Sequence, residues 1–206
     1  MIAIIDYGMG NLGSIANALE YVGGDVVITS EPKDVRDADR IVLPGVGAFG
    51  DGIKHLKDTG WIAALNEEVI VHKKPFLGVC LGMQLLAKKS FEFGEHDGLG
   101  WFDAEVRRFS FSPESGLCVP HVGWNDISIE ISHPVLNGIP DRSDFYFVHS
   151  YAIEDIENSS LVASSDYGKK FAAIIARENI FATQFHPEKS QKWGLRLLKN
   201  FIDWQP

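Results

Sequence analysis

Cysteine is scarce: Cys80 and Cys118 are the only two in 206 residues. Two thiols make no disulfide framework, and no His/Cys spacing resembles a structural zinc site, so the chain must rest on an apolar core, in a reducing compartment. Basic charge is also short. Against 28 Asp+Glu there are 19 Lys+Arg, a net charge of −9, which argues against phosphate backbones and anionic membrane surfaces as partners. No apolar run approaches the roughly 20 residues of a membrane span. The opening MIAIIDYGMG lacks the basic lead and long apolar core of a secretory signal, so the expected location is cytoplasmic. The acceptor-like triplet Asn158-Ser159-Ser160 therefore carries no weight. Repeats, low-complexity tracts and Pro/Gly/Ser linkers are also missing, and a single domain spanning 1–206 is expected.

What is present is an ordinary globular balance, 45% hydrophobic and 23% charged, enough for a sizeable core. The first 90 residues alternate short apolar runs with helical patterns. IAIID, DVVITS, DRIVLPG and PFLGVC read as strands, and residues 11–22, GWIAALNEEVIVHKK and LGMQLLAKK as helices. Such alternation predicts an α/β fold with a mostly parallel central sheet flanked by helices. The second half reads as strands with short connections: GLGWFDAEVRRF, LCVPHVGW, DFYFVHSY, FAAIIARE and IFATQFH. Some of these should pair antiparallel, making the sheet mixed. An amphipathic helix near 191–204, with Leu195, Leu198 and Ile202 on its apolar stripe, closes the chain.

The stretch GVCLG places Cys80 where a strand runs directly into a helix, with Gly78 two residues before and Gly82 two after. A buried structural cysteine is one reading. The other is a nucleophile elbow with cysteine in place of serine. There the helix N-terminus favours thiolate, and the Leu81 amide is placed to donate to an oxyanion. Cys118, in the apolar strand LCVP, reads as a core residue. A cysteine nucleophile needs a base, and QFHPEKS supplies one: His186 ends a strand, Pro187 holds it extended, and Glu188 two residues on lies on the same side of an extended chain. His55, His72 and His96 read as surface residues and His133 as part of a turn, while His121 and His149 end apolar strands. LPGVGAFGDG, with glycines at 45, 47, 50 and 52, reads as a loop that either flexes or lets something approach closely. It lacks the G-K-[ST] ending of a phosphate loop.

Together, PGVGAFGDG, PFLGVCLGMQLL and QFHPEKS resemble the triad-type (class I) glutamine amidotransferases over essentially the whole chain. The resemblance implies a flavodoxin-like glutaminase fold and a Cys80–His186–Glu188 triad that hydrolyses glutamine to glutamate and ammonia through a thioester. It also implies an oxyanion hole from Val46, Gly47 and Leu81, and glutamine held by Gly47, Gln84, His149, Ser150 and Tyr151, with no metal or organic cofactor. DYGMGN, PHVGWN and FYFVHSY further resemble glutaminase subunits that form a heterodimer with a (β/α)8-barrel cyclase and feed it ammonia for histidine biosynthesis. That implies a docking face at Tyr7, Met9, Gly10, Asn11, His121, Trp124, Asn125 and Lys189. One stretch departs. SFEFGEHDGLGWFDAEVRRF is more similar to paralogues that supply a surface-polysaccharide sugar amidotransferase. Two rival readings share the fold: a free-standing γ-glutamyl hydrolase, and a scaffold that has lost its chemistry. The first would be supported by a secretory signal, the second by loss of a triad residue.

Overall fold

The computed structural model describes residues 1–206. In chain order its elements are β1 (Ile2–Ile5), α1 (Leu12–Tyr21), β2 (Val26–Thr29), β3 (Arg40–Gly45), α2 (Phe49–Asp58), α3 (Trp61–Leu65), β4 (Phe76–Cys80) and α4 (Leu81–Gln84). Then follow β5 (Ala87–Ser90), β6 (His96–Asp97), β7 (Phe102–Arg108), β8 (His121–Asp126), β9 (Ser128–Ile129), β10 (Asp144–His149), β11 (Tyr151–Ile153), β12 (Leu161–Asp166), β13 (Lys170–Arg177), β14 (Ile180–Thr183) and α5 (Gln191–Asp203).

The main sheet has eight strands in the order β2-β1-β3-β4-β14-β13-β12-β9. The first five run parallel, and the last three pair antiparallel. The α/β class with a mixed, mostly parallel sheet is therefore as the sequence implies. Side chains alternate across a strand, and here both faces are buried. Ile4, Val42 and Leu77 join Leu19 of α1 and Leu197 and Phe201 of α5 on one side. Ile5, Ile41, Leu43 and Phe76 join Trp61 and Leu65 of α3 on the other. A four-stranded sheet, β11-β7-β5-β6, and a two-stranded ribbon, β10-β8, cover the ends of the parallel strands. No helix is long and apolar enough to cross a membrane.

Several expectations change. LGMQLLAKK is helical only to Gln84; Ala87–Ser90 is β5, which pairs parallel with β7. Pairing decides it: Ala87 lies opposite Phe102, Lys89 opposite Glu105 and Ser90 opposite Val106, so the backbone bonds of this segment go to β7 and not to a further helical turn. Residues 117–120 lie outside the strand expected there, and Cys118 is exposed rather than in the core. The apolar side of α5 is centred on Leu197, Leu198 and Phe201, with Leu195 and Ile202 at its margins. The glycine stretch is not one loop. From Phe49 it is helix α2, and its glycines serve close packing: a Cβ on Gly50 would lie 2.7 Å from the His96 ring. Only Gly47, at φ +101°, needs glycine for its backbone.

Candidate active site

Cys80 ends β4 with φ 55° and ψ −108°, a backbone conformation that non-glycine residues rarely adopt. The turn exists because α4 starts with no spacer and packs tightly on β3: a Cβ on Gly82 would sit 1.9 Å from the Leu43 carbonyl oxygen. Parallel pairing then gathers the other parts. Gly45 on β3 is in register with Cys80, and Thr183 on β14 with Val79. The residues following β3 and β14 therefore emerge beside the sulfur, at the carboxyl ends of the strands where α/β sheets bind ligands.

His186 is buried at 2% exposure, its backbone N–H bonded to the Tyr146 carbonyl at 3.0 Å. Its Nδ1–H donates to Glu188 Oε1 at 2.8 Å, and Nε2, buried without a nitrogen or oxygen partner, is left for the thiol. Burial by itself lowers the imidazole pKa, but the Cys80 sulfur and the Glu188 carboxylate outweigh it and raise the value to about 10. An imidazolium between two anions is the arrangement a thiolate–histidine pair requires. Glu188 reaches the ring from a 3-10 turn, Pro187–Lys189, and not from the extended segment anticipated. A Cβ on Gly194 would lie 1.9 Å from the Pro187 carbonyl oxygen, so α5 holds that turn in place.

The cleft above the sulfur encloses about 210 Å³. Cys80, His186, Val46, Gly47, Gln84, His149, Ser150 and Tyr151 line it as the sequence suggested, together with Val148 and Glu92. In the sequence Glu92 has no assigned role, because a lone carboxylate between Phe91 and Phe93 belongs to no catalytic spacing. Its Oε2 accepts the Phe49 N–H at 2.7 Å, and burial raises its pKa despite that bond. A buried carboxylate facing a cleft is suited to an ammonium group. Gln84 donates both amide hydrogens inward, to the Tyr151 carbonyl and to Gln184 Oε1, each at 2.9 Å, which leaves its oxygen for a ligand.

Other site residues stand differently from expectation. The Val46 N–H is not directed at the cleft but donates to the Met9 carbonyl at 3.0 Å, so this part of the oxyanion hole is not assembled. Tyr7 and His121 are buried and present no side chain to a partner. Tyr7 lies under the elbow, where burial and the Cys80 charge push its hydroxyl pKa up. His121 Nδ1–H donates at 3.1 Å to Nε2 of His149, whose Nδ1–H donates to the Tyr151 carbonyl at 2.9 Å. Burial keeps this pair neutral, with His121 pushed down to about 4 and His149 to about 3. Met9 and Gly10 are half-buried, and Asn11 and Lys189 are exposed. Trp124 is 49% exposed and belongs to the surface, not the core. A larger hollow of about 690 Å³ lies at the opposite, amino ends of the strands, around Met1, Arg40 and Lys74, away from any nucleophile.

Known proteins resemble this chain in family and in fold. The family model described as glutamine amidotransferase class-I matches residues 3–204. A Campylobacter jejuni (strain RM1221) protein named imidazole glycerol phosphate synthase subunit HisH 1 is 48% identical, covering 98% of this chain and 99% of that one. A Pseudomonas aeruginosa relative named subunit HisH 2 is 44% identical over 98% of this chain and 99% of its own. Among solved structures, PurLQS from Thermotoga maritima superposes with a TM-score of 0.76 at 18% identity, covering 98% of this chain and 97% of that one. A solved glutamine amidotransferase gives 0.74 at 18% identity, covering 98% of each chain. At such identities these structures speak to the fold alone.

Proposed function

From the premise that this chain belongs to the class-I glutamine amidotransferase family, we propose that it is the glutaminase subunit of an imidazole glycerol phosphate synthase, a cytoplasmic single-domain enzyme with the triad Cys80–His186–Glu188. The observation that carries the triad is the strained Cys80 elbow facing an imidazole that Glu188 holds at 2.8 Å.

The thiolate attacks the side-chain amide carbon of glutamine, forming a C–S bond while the carbonyl becomes an oxyanion. Collapse breaks the C–N bond as His186 gives its proton to the departing nitrogen, which leaves as ammonia. The now neutral His186 takes a proton from water, whose oxygen attacks the thioester. Breaking the C–S bond releases glutamate and restores the thiolate and imidazolium. Gln84 and Glu92 hold the amino-acid end, Glu92 taking the α-ammonium. Leu81 and the residues after Gly45 supply the oxyanion donors, each worth about 3 kcal/mol in such sites.

The partner in this reading is a (β/α)8-barrel cyclase subunit. It would receive the ammonia to form imidazole glycerol phosphate and an aminoimidazole carboxamide ribotide, as histidine biosynthesis requires. Its docking face comprises Met9, Gly10, Asn11, Trp124, Asn125 and Lys189. Met9 supports coupling, because its carbonyl holds the Val46 N–H away from the cleft. A partner that moves this segment would free that amide, and Gly47 would allow the peptide to turn. The lone chain should therefore hydrolyse glutamine poorly, and strongly when mixed with the cyclase and its ribulosyl nucleotide. A Cys80→Ala variant should lose glutamine-dependent synthesis and keep synthesis from ammonium salts; persistence of glutamine hydrolysis in it would remove Cys80 from the mechanism. Two relatives are numbered copies, HisH 1 and HisH 2, and the stretch from Ser90 to Phe109 keeps a second acceptor in view, a surface-sugar amidotransferase. No stimulation by the cyclase, from a chain whose Cys80 still reacts with a glutamine-like alkylating analogue, would select it.

A further inference from the structure

The Cys80 sulfur has two hydrogen-bonding neighbours besides His186. The Val148 carbonyl, 4.0 Å away, can only accept, so it has nothing to offer a thiolate. The second is the side-chain amide of Gln184, whose Nε2 lies 3.7 Å from Sγ. A thiol sulfur is a weak acceptor, and a thiolate is a strong one. Gln184 is completely buried, two residues before His186, and it lies outside the cleft lining. Strand register explains its position, since the residue after Thr183 falls beside the residue after Val79.

An amide has two ends, and only one of them can donate. Here a chain of bonds sets the direction. The Tyr151 carbonyl can only accept, so Gln84, 2.9 Å from it, must turn its NH₂ that way. The other hydrogen of that NH₂ goes to Gln184 Oε1 at 2.9 Å. With its oxygen taken, Gln184 must turn its own NH₂ toward the sulfur. The same Tyr151 carbonyl also accepts from His149, which fixes it from a second side. Flipping either glutamine would set two oxygens or two NH₂ groups face to face.

We propose that Gln184 donates an N–H to the Cys80 thiolate, stabilising its charge and fixing Sγ toward the substrate, and that Gln84 is the positioning residue that orients Gln184 from the Tyr151 carbonyl. This rests on Cys80 being the nucleophile, and the test separates the two claims. The full-length chain carrying Cys118→Ser, so that alkylation reports Cys80 alone, is treated with iodoacetamide from about pH 5 to about pH 9, and glutamate release is measured in parallel with the same chain mixed with the cyclase and its ribulosyl nucleotide.

Gln184→Met keeps the length and removes the donor. Its alkylation profile should move up by about one pH unit, and glutamate release should fall about tenfold to a hundredfold in kcat with KM little changed. Gln184→Glu keeps the acceptor for Gln84 but aims an oxygen at the sulfur, so its profile should move further. Gln84→Met should move the profile the same way and also raise KM. Should Gln184→Met not fold, the movement of the profile in Gln184→Glu and Gln84→Met decides. An unmoved profile in the folded variants, with or without lost turnover, would overturn the proposal by making Gln184 a packing residue only. If the Cys118→Ser chain itself shows no fast alkylation and no glutamate release, the nucleophile assignment fails first.

Discussion

At the scale of single residues, the site is a set of buried charges that hold one another. Burial alone would lower the His186 pKa, and two partners, the Cys80 sulfur and the Glu188 carboxylate, outweigh it. Removing one while keeping the shape should be costly, since the remaining buried groups lose their compensation. Glu188→Gln is expected to lower glutamine turnover at least a hundredfold, the low end of what general acid–base groups contribute. Steady-state kinetics of the partnered enzyme would check it, and a change below about threefold would remove Glu188 from the triad. Glu92 should behave differently. Glu92→Gln is expected to raise KM for glutamine about tenfold or more with kcat nearly intact, because it meets the amino end and not the reacting carbon. An effect confined to kcat would contradict its assignment to the α-ammonium.

At the scale of elements, the elbow depends on how closely α4 approaches β3. Gly82 faces the Leu43 carbonyl with no room for a Cβ. Gly82→Ala must push α4 off the sheet, and a loss of about 2 kcal/mol or more is expected, together with glutaminase activity, since Leu81 moves with the helix. Gly13 is a control. It sits exposed in α1, and a methyl group added there would have nothing within 4 Å. There, alanine should stabilise by up to about 1 kcal/mol through lower chain entropy. Denaturant unfolding of the two variants side by side would show opposite signs, and equal shifts would mean that the elbow glycine is not under packing constraint.

At the scale of the whole molecule, stability should depend on pH through four histidines. Burial pushes His121 and His133 down to about 4 and His149 to about 3. These groups are neutral in the fold and titrate near 6.5 when unfolded. Their stabilising effect is complete above pH 6.5 and is lost as pH falls toward 4 and then 3. His186 has the opposite sign. Raised to about 10, its contribution is complete below pH 6.5 and is lost as pH rises toward 10. Unfolding free energy should therefore peak near neutral pH. Urea midpoints across the range would check this, with the alkaline limb flattened in Cys80→Ala. A chain most stable near pH 5 would contradict the buried, neutral histidines.

The sequence by itself determined what local patterns can carry. Strand–helix alternation specified the parallel half of the sheet, because apolar runs buried on both faces leave a continuous signal. The glycines around Cys80 and the HPE triplet pointed to the proposed triad, because each needs its neighbours at fixed spacing. Tertiary structure decided the rest. Glu92 stands between Phe91 and Phe93 with no catalytic spacing to mark it, and only the fold turns its carboxylate into the cleft. The resemblance puts Tyr7 and His121 on a docking face, yet packing against Gly45 buries Tyr7, and the aromatic cluster of Phe147, Tyr167 and Phe171 buries His121. LGMQLLAKK has the composition of a long helix, but pairing with β7 makes its second half a strand. The Val46–Met9 bond and the Gln84–Gln184 relay join residues far apart in the chain. No local pattern encodes such contacts, because strand order and register bring the groups together.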